Sequence, residues 1–348
     1  MKQRLKIILI IFIASSTAII SLDFISHKIN HRFNNFNRLV PPHGVRLIRT
    51  LDLKYNSFYI AGVSSNQIFL ANSTAPIILK SDFSLKDTQV SIIKMPEKVK
   101  LYSGSLEVDS PYFYITDRVT STKMHGYLSD LIAKKYEDST LFVDAKAISN
   151  STFAIRTLFK QPPNYILGKR DIYNSKYQIY PTILTKQVDG IFCEDGMLNY
   201  DKMQDIIVYL YYYRNTFICL DTNFNIKVVG KTIDTNSVAK IKVTKIKSDN
   251  SYTLSEPPLL VNRNSCVYNG SLFINSPLLA NNDDPKTLDD ASIIDIYNLK
   301  TGEYKSSFYL PLYKGRKIAS FQVFKDILVA VSDKSLLVYI LNKNVNVN

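Results

Sequence analysis

The chain has 348 residues, 46% hydrophobic and 21% charged, a globular balance that excludes wholesale disorder. That length suits one large all-β domain or two ordinary ones. The formal net charge of +13 could draw nucleic acid, anionic lipid or an acidic envelope polymer. The positive residues are dispersed, however, and no common nucleic-acid motif occurs, so no nucleic-acid partner is expected.

Residues 1–22 carry the most specific signal. Lys2, Arg4 and Lys6 precede an apolar run from Ile7 that continues through Ile19, Ile20 and Leu22. A basic start and such a run direct a chain to a membrane. The reading is a signal-anchor or transmembrane helix, in contact with lipid through residues 5–22. The early positive charges put the N-terminus in the cytoplasm and the bulk of the chain in the periplasm or on the cell surface. The run is slightly short for a transmembrane helix, which keeps a cleaved signal peptide as the competitor. No small-x-small cleavage site follows the run, and no cysteine stands nearby to accept a lipid.

Residues 23–44 read as a juxtamembrane stalk. Ile25, Ile29, Phe33 and Phe36 recur at helical spacing, and Pro41-Pro42 ends the helix. His27 and His31 stand at i, i+4, but no third ligand accompanies them, so solvated histidines are expected rather than a metal site.

Residues 45–348 read as repeated antiparallel sheets. The clearest unit is Asp205 to Gly230. Ile206 to Tyr213, Thr216 to Leu220 and Ile226 to Val229 are apolar runs separated by Asn- and Asp-containing turns. The first two runs scarcely alternate, so both faces of the sheet must be covered. Equivalent runs, each taken as the second strand of a repeat, are Ile68–Asn72, Phe113–Asp117, Phe153–Arg156, Leu272–Asn275 and Ile327–Val331. Shorter runs precede them, among them Phe58–Val63, Leu106–Val108, Leu141–Val143 and Ile318–Phe324. The period of roughly 40–65 residues is longer and less regular than that of well-marked propeller repeats. The last repeat has three strands, and Val45–Leu53 is a strand without a repeat. Pairing the two would close a six-bladed β-propeller and leave no long edge unpaired. Two stacked sandwiches are the alternative, but no Pro-, Gly- or Ser-rich linker separates them.

Two segments fall outside the repeats. Ala239 to Lys247 alternates with period two and predicts a strand with a wet, lysine-lined face, either an edge guard or an anion-binding stripe. Asn281 to Asp290 resembles a calcium loop in composition but lacks its spacing, so a solvated insertion is expected. Cys193, Cys219 and Cys266 are too far apart for bridging within the expected sheets and read as free, buried small hydrophobes.

No catalytic motif is present: no G-x-S-x-G, H-E-x-x-H, P-loop or paired C-x-x-C. His125 is isolated and reads as a packing or surface residue. Glu194 and Asp195 are adjacent and would point to opposite faces of a strand, which a general acid/base pair cannot use. No cofactor or metal ligand set emerges. Propeller geometry offers a better lead. The loops that follow second strands share one face with those that precede first strands, so polar residues ending the second strands should gather there. These are Asn72, Arg118, Arg156, Tyr211 and Asn275, with Asp333 a further candidate. They could form an anion or polar-ligand site, or could merely cap strand ends.

The stretches Phe36 to His43, Tyr55 to Gly62, Lys186 to Phe192, Tyr211 to Asn215 and Ala291 to Tyr297 resemble the uncharacterised membrane-associated six-bladed β-propellers of Bacteroidota. The similarity runs from about residue 36 onward. It implies the fold and an envelope location and carries no assigned catalytic residues. Many members bear a lipid-anchored cysteine, which this sequence lacks. The expected function is a membrane-tethered, exported, monomeric and non-catalytic binding module for a protein, an envelope ligand or an anionic ligand. The alternative is a lactonase-like propeller hydrolase with a channel-mouth site, using Glu107, Asp109, Asp144 or Glu194.

Overall fold

A computed structural model describes residues 2–30, 33–97, 99–136, 140–160, 163–173, 177–248 and 251–345. The chain opens with a helix, Lys2–Asn30. Its apolar side chains face solvent all round, from Ile7 and Phe12 to Ile20 and Leu22. Among the described residues no helix is long and apolar enough to cross a membrane. The expected transmembrane span is therefore not found. From Ile7 to Leu22 the helix rises about 24 Å, short of a hydrocarbon core of roughly 30 Å.

Six four-stranded antiparallel sheets follow. The first blade comprises Phe58–Val63, Ile68–Asn72, Ile77–Ser81 and Thr88–Ile92, and the second Gly104–Asp109, Tyr112–Asp117, Thr122–Tyr127 and Lys134–Lys135. Asp144–Ala147, Thr152–Lys160, Pro163–Asp171 and Tyr177–Tyr180 build the third. The fourth contains Gly196–Asp201, Ile206–Tyr211, Thr216–Asp221 and Ile226–Lys231. Asn264–Tyr268, Ser271–Ser276, Ala291–Asn298 and Tyr304–Pro311 form the fifth. Ser320–Phe324, Ile327–Ser332 and Ser335–Leu341 make the sixth, whose outer strand is Val45–Asp52 from the other end of the chain. That outer strand runs antiparallel to its neighbour, with Val45 opposite Leu341 and Asp52 opposite Ser335.

The blades form a ring because each sheet is apolar on both faces. In the fourth blade Ile207, Val208, Tyr209, Leu210 and Tyr211 are all fully buried. Tyr209 packs with Leu167 of the third blade, while Val208 and Phe217 pack with Leu272 and Tyr297 of the fifth. The same sharing continues around the molecule. Phe273 meets Phe321, Val329 of the sixth blade meets Phe58 and Leu70 of the first, Ala71 meets Ile115, and Tyr114 meets Phe153. Burial of a large apolar side chain contributes about 1.5–3 kcal/mol, so these interblade layers are the main source of stability.

All six runs expected as second strands occupy that position. The first strand of the third blade is Asp144–Ala147 rather than Leu141–Val143. Its polar residues face the channel, which removes the apolar signal the eye looks for. Cys193 lies in a single turn of 3-10 helix, Phe192–Glu194, just before the first strand of blade four. All three cysteines are free and buried. The lysine-rich segment pairs only over Val243–Lys245 with Tyr252–Leu254, a hairpin attached to no blade, while Ala239 and Ile241 pack beside Cys193.

The expected helical stalk stops at Asn30. From Phe33 the chain is extended and clamped to the fifth blade. The Asn34 backbone N–H donates to the Leu279 carbonyl, and the Asn281 N–H to the Phe36 carbonyl. Arg38 is fully enclosed. Its guanidinium donates to both Asp295 oxygens, to Asp283 at 2.5 Å, to Ser276 Oγ and to the Leu278 carbonyl. Asn281 to Asp290 is an insertion between the second and third strands of the fifth blade and is mostly exposed, as expected, but Leu288 is buried and Asp283 is buried as a partner of Arg38 and Tyr309. His31 lies outside the described residues, as does the side chain of His27.

Candidate functional site

Because first strands all begin after an interblade connection, those connections and the turns between second and third strands share one end of the ring, the upper face. Contacts between the two loop sets follow. Asn72 donates to Ser57, Arg118 to Ser103, Arg214 to Thr185 and Asn262 to the Tyr211 carbonyl. The turns between first and second strands lie on the opposite, lower face.

First strands of all six blades line a central channel of about 380 Å³. Its charges are mostly paired. Lys146 meets Glu107 at 2.8 Å, and nearer the lower mouth Lys202 meets Asp109 at 2.8 Å. Burial works against the Lys146 charge, but Glu107 and Asp144 outweigh it and raise its pKa. Asp144 accepts a 3.4 Å bond from the Leu198 N–H. The acids Glu107, Asp109 and Asp144 do reach the channel, whereas Glu194 does not line it.

Toward the upper face, Glu107 and Asp144 also border a mouth of about 360 Å³ that reaches Arg118. Tyr59, Ser103, Gly104, Ser105 and Arg118 border both this mouth and a larger groove of about 540 Å³ between the first two blades. That groove has apolar walls in Ile77, Met95, Val99 and Leu101, hydroxyls in Ser73 and Thr74, and, among the described residues, one charge, Arg118. Arg118 is exposed and its Nε donates to Ser103 Oγ at 2.8 Å. Among the described residues no carboxylate pairs with it. It is placed by Asp117, whose Oδ2 accepts the N–H groups of Tyr102 and Ser103 and whose Oδ1 accepts those of Val119 and Thr120. Burial opposes the charge on Asp117, but these bonds win and lower its pKa.

The five residues expected to share one site separate into three places. Asn72 and Arg118 border the groove. Asn72 also caps its turn, accepting from the Thr74 N–H and hydroxyl. Arg156 is buried, paired with Asp195, and stacked over the Tyr165 ring at 4.5 Å. Burial acts against its charge; Tyr209, Asp195 and Asp144 more than compensate and raise the pKa. Tyr211 is fully buried next door, its hydroxyl accepting the Thr185 N–H and its ring beneath Arg214. Asn275 borders a third cavity of about 260 Å³ with Arg263 and Lys317, two cations the sequence reading did not single out. Burial and the neighbouring Arg263 charge lower the Lys317 pKa. Asp333 is a turn residue in the left-handed conformation, φ 49°.

Two further candidates are packed against neighbouring side chains and backbone. His125 stacks on Tyr136 at 4.3 Å, and burial lowers its pKa. Glu194 is buried, accepts the Tyr165 N–H at 3.0 Å, and has its carboxyl pushed up to about 7 by desolvation. Among the described residues no group of three or more His, Cys, Asp or Glu is placed to hold a metal ion.

These features define a six-bladed β-propeller with a charge-paired channel and a cationic groove at its upper mouth. No known family profile matches the chain, and neither does any curated protein sequence. Its fold is similar to that of a DUF4221 family member from Bacteroides vulgatus, at 13% identity and TM-score 0.51, covering 87% of this chain and 99% of that one. It is also similar to a catalytically inactive virginiamycin B lyase from Staphylococcus aureus with quinupristin, at 11% identity and TM-score 0.50, over 86% of this chain and 100% of that one. A streptogramin B lyase aligns at 9% identity and TM-score 0.51, over 86% and 98%. Identities this low establish the shared fold alone.

Proposed function

We propose that the chain is a membrane-held, monomeric β-propeller that acts as a non-catalytic binding module, its ring closed by the pairing of Val45–Asp52 with Ser335–Leu341. The ligand is a protein or envelope molecule that presents an anionic group on an apolar body. The observation that carries this reading is Arg118, exposed and, among the described residues, the single charge of a groove with apolar walls and without an acidic partner. A guanidinium in that state is suited to bidentate capture of a carboxylate or phosphate. The helix with apolar side chains on every side supports the membrane attachment, since such a helix needs a non-aqueous environment. The resemblance to envelope propellers supports export.

A lactonase-like hydrolase would draw on Glu107, Asp109 and Asp144. Lysines engage Glu107 and Asp109 directly, so the channel acids favour a structural role over the binding reading's rival. The test is affinity isolation of the full chain from envelopes solubilised in detergent, beside Arg118→Ala and Arg118→Lys. Companions recovered with the unaltered chain should be lost from Arg118→Ala and partly retained by Arg118→Lys, with circular dichroism unchanged. Identical companions in all three would overturn the groove as the binding site.

A further inference from the structure

The N-terminal segment joins the propeller at a defined place. Phe33 pairs with Leu279, the Asn34 carbonyl accepts the Thr235 hydroxyl, and Phe36 is buried among Val261, Leu278 and Ala280. Residues 278–280 follow a second strand, and residues 235 and 261 belong to an interblade connection, so all lie on the upper face. Arg38 locks this attachment. Three residue steps separate Asn30, the end of the helix, from Phe33, a reach of at most about 10 Å. The apolar helix thus leaves the protein from the face that bears the channel mouth.

That face also has the surface chemistry of a membrane interface. Exposed apolar or aromatic residues stand on its loop tips: Tyr55, Tyr102, Val119, Leu141, Val188 and Ile246. Five of the six have a basic residue within two positions, namely Lys54, Lys100, Arg118, Lys186 and Lys247. An apolar tip beside a cation matches a bilayer interface, where the ring or alkyl group enters the acyl boundary and the charge meets headgroup phosphates. Acids on the same end are in part turned inward, as Asp234 and Asp283 are. Among the described residues no carboxylate lines the cavity shared by Arg263 and Lys317, although the charge of nearby Asp289 acts on Lys317, and the cavity is of headgroup size. The lower face exposes Met203 and Tyr173 as well; what distinguishes the two ends is the tether.

We propose that the upper face lies against an anionic bilayer, its loop tips at the interface and the Arg263–Lys317 cavity taking a lipid phosphate. The inference rests on the membrane-held reading above, and it makes the channel mouth and the Arg118 groove accessible from the membrane side. The chain contains no Trp, so single reporters can be introduced. Phe12→Trp reports the helix, Tyr55→Trp and Tyr102→Trp the upper face, and Met203→Trp the lower face. The full chain is reconstituted into phosphatidylcholine–phosphatidylglycerol vesicles with brominated acyl chains, which quench tryptophan by contact.

Quenching of the helix and upper-face reporters, with Met203→Trp unaffected, is the expected result. Adding Arg263→Glu and Lys317→Glu should release the upper-face reporters from quenching and leave Phe12→Trp quenched. If Phe12→Trp is quenched and the upper-face reporters are not, or if both faces respond equally, the docking proposal is overturned while the tether stands. An unquenched Phe12→Trp would remove the tether, and the proposal with it.

Discussion

Arg38 and Asp295, distant in sequence, form a two-pronged ion pair in which Nε donates to Oδ1 at 2.8 Å and Nη2 to Oδ2 at 3.1 Å. Asp283 completes the clasp at 2.5 Å. Removing one partner of a buried ion pair costs about 3–5 kcal/mol, because the other charges stay buried and uncompensated. Arg38→Met should therefore lower the denaturation midpoint of the detergent-solubilised full chain. Adding Asp283→Asn and Asp295→Asn should recover part of the loss. If Arg38→Met alone is neutral, the clasp does not hold the segment.

Asp117 should tolerate no amide. Each of its oxygens accepts two backbone N–H groups, and Oδ1 the Thr120 hydroxyl as well, so Asp117→Asn turns a donor toward donors and should cost about 2–3 kcal/mol, comparable to Asp117→Ala. Its folded pKa is lowered, so its stabilisation is present above the unfolded value and is lost as pH falls below it. Urea denaturation of the two variants at neutral pH decides the point, and an unaffected Asp117→Asn would contradict the hydrogen-bond geometry.

Glu194 has the opposite sign. Desolvation raises its folded pKa from 4.5 to about 7, so the folded state holds the proton more tightly than the unfolded state. The unfolded chain then binds fewer protons between those values, and stability falls as pH rises through that window. Glu194→Gln keeps an acceptor for the Tyr165 N–H and should flatten the decline between pH 5 and pH 7. Parallel slopes for the two proteins would refute it.

The cysteines should be silent in the native protein. Burial pushes the Cys219 and Cys266 thiols up to about 12, which leaves almost no thiolate at neutral pH. Cys193 is buried and its thiol donates to the Asp189 carbonyl. Ellman's reagent should label none of the three until denaturant is added. Rapid native labelling would show that at least one is accessible.

The blades were legible because their second strands are covered on both sides. Ile68–Asn72 and Ile206–Tyr211 are nearly continuous apolar runs, and such runs need no partner to be recognised. First strands were harder. Asp144–Ala147 alternates charged residues that face the channel with alanines that face the third blade's core, which reads as a loop. The second blade's outer strand, Lys134–Lys135, is too short to carry any pattern. The Arg38 clasp was invisible because its partners are more than two hundred residues away and have no local signature. The candidate site was partly legible. Residues ending second strands do lie on one face, but a propeller spreads that face across six blades, so Asn72 and Arg118 share a groove while Arg156, Tyr211 and Asn275 serve elsewhere. Arg263 and Lys317 lie in interblade connections, where sequence gives no rule for which side chains converge.

The sixth blade draws its outermost strand from the beginning of the chain and the rest from the end. During synthesis Val45–Asp52 emerges early and must wait for nearly the whole polypeptide before Ser335–Leu341 exists to receive it. Until then its backbone donors and acceptors lie open, and Arg46 and Arg49 on that strand discourage unrelated strands from docking there. A product cut short before residue 335 would carry a permanently widowed strand beside the bare flank of an unfinished ring, and is expected to aggregate or be degraded rather than persist as a smaller propeller.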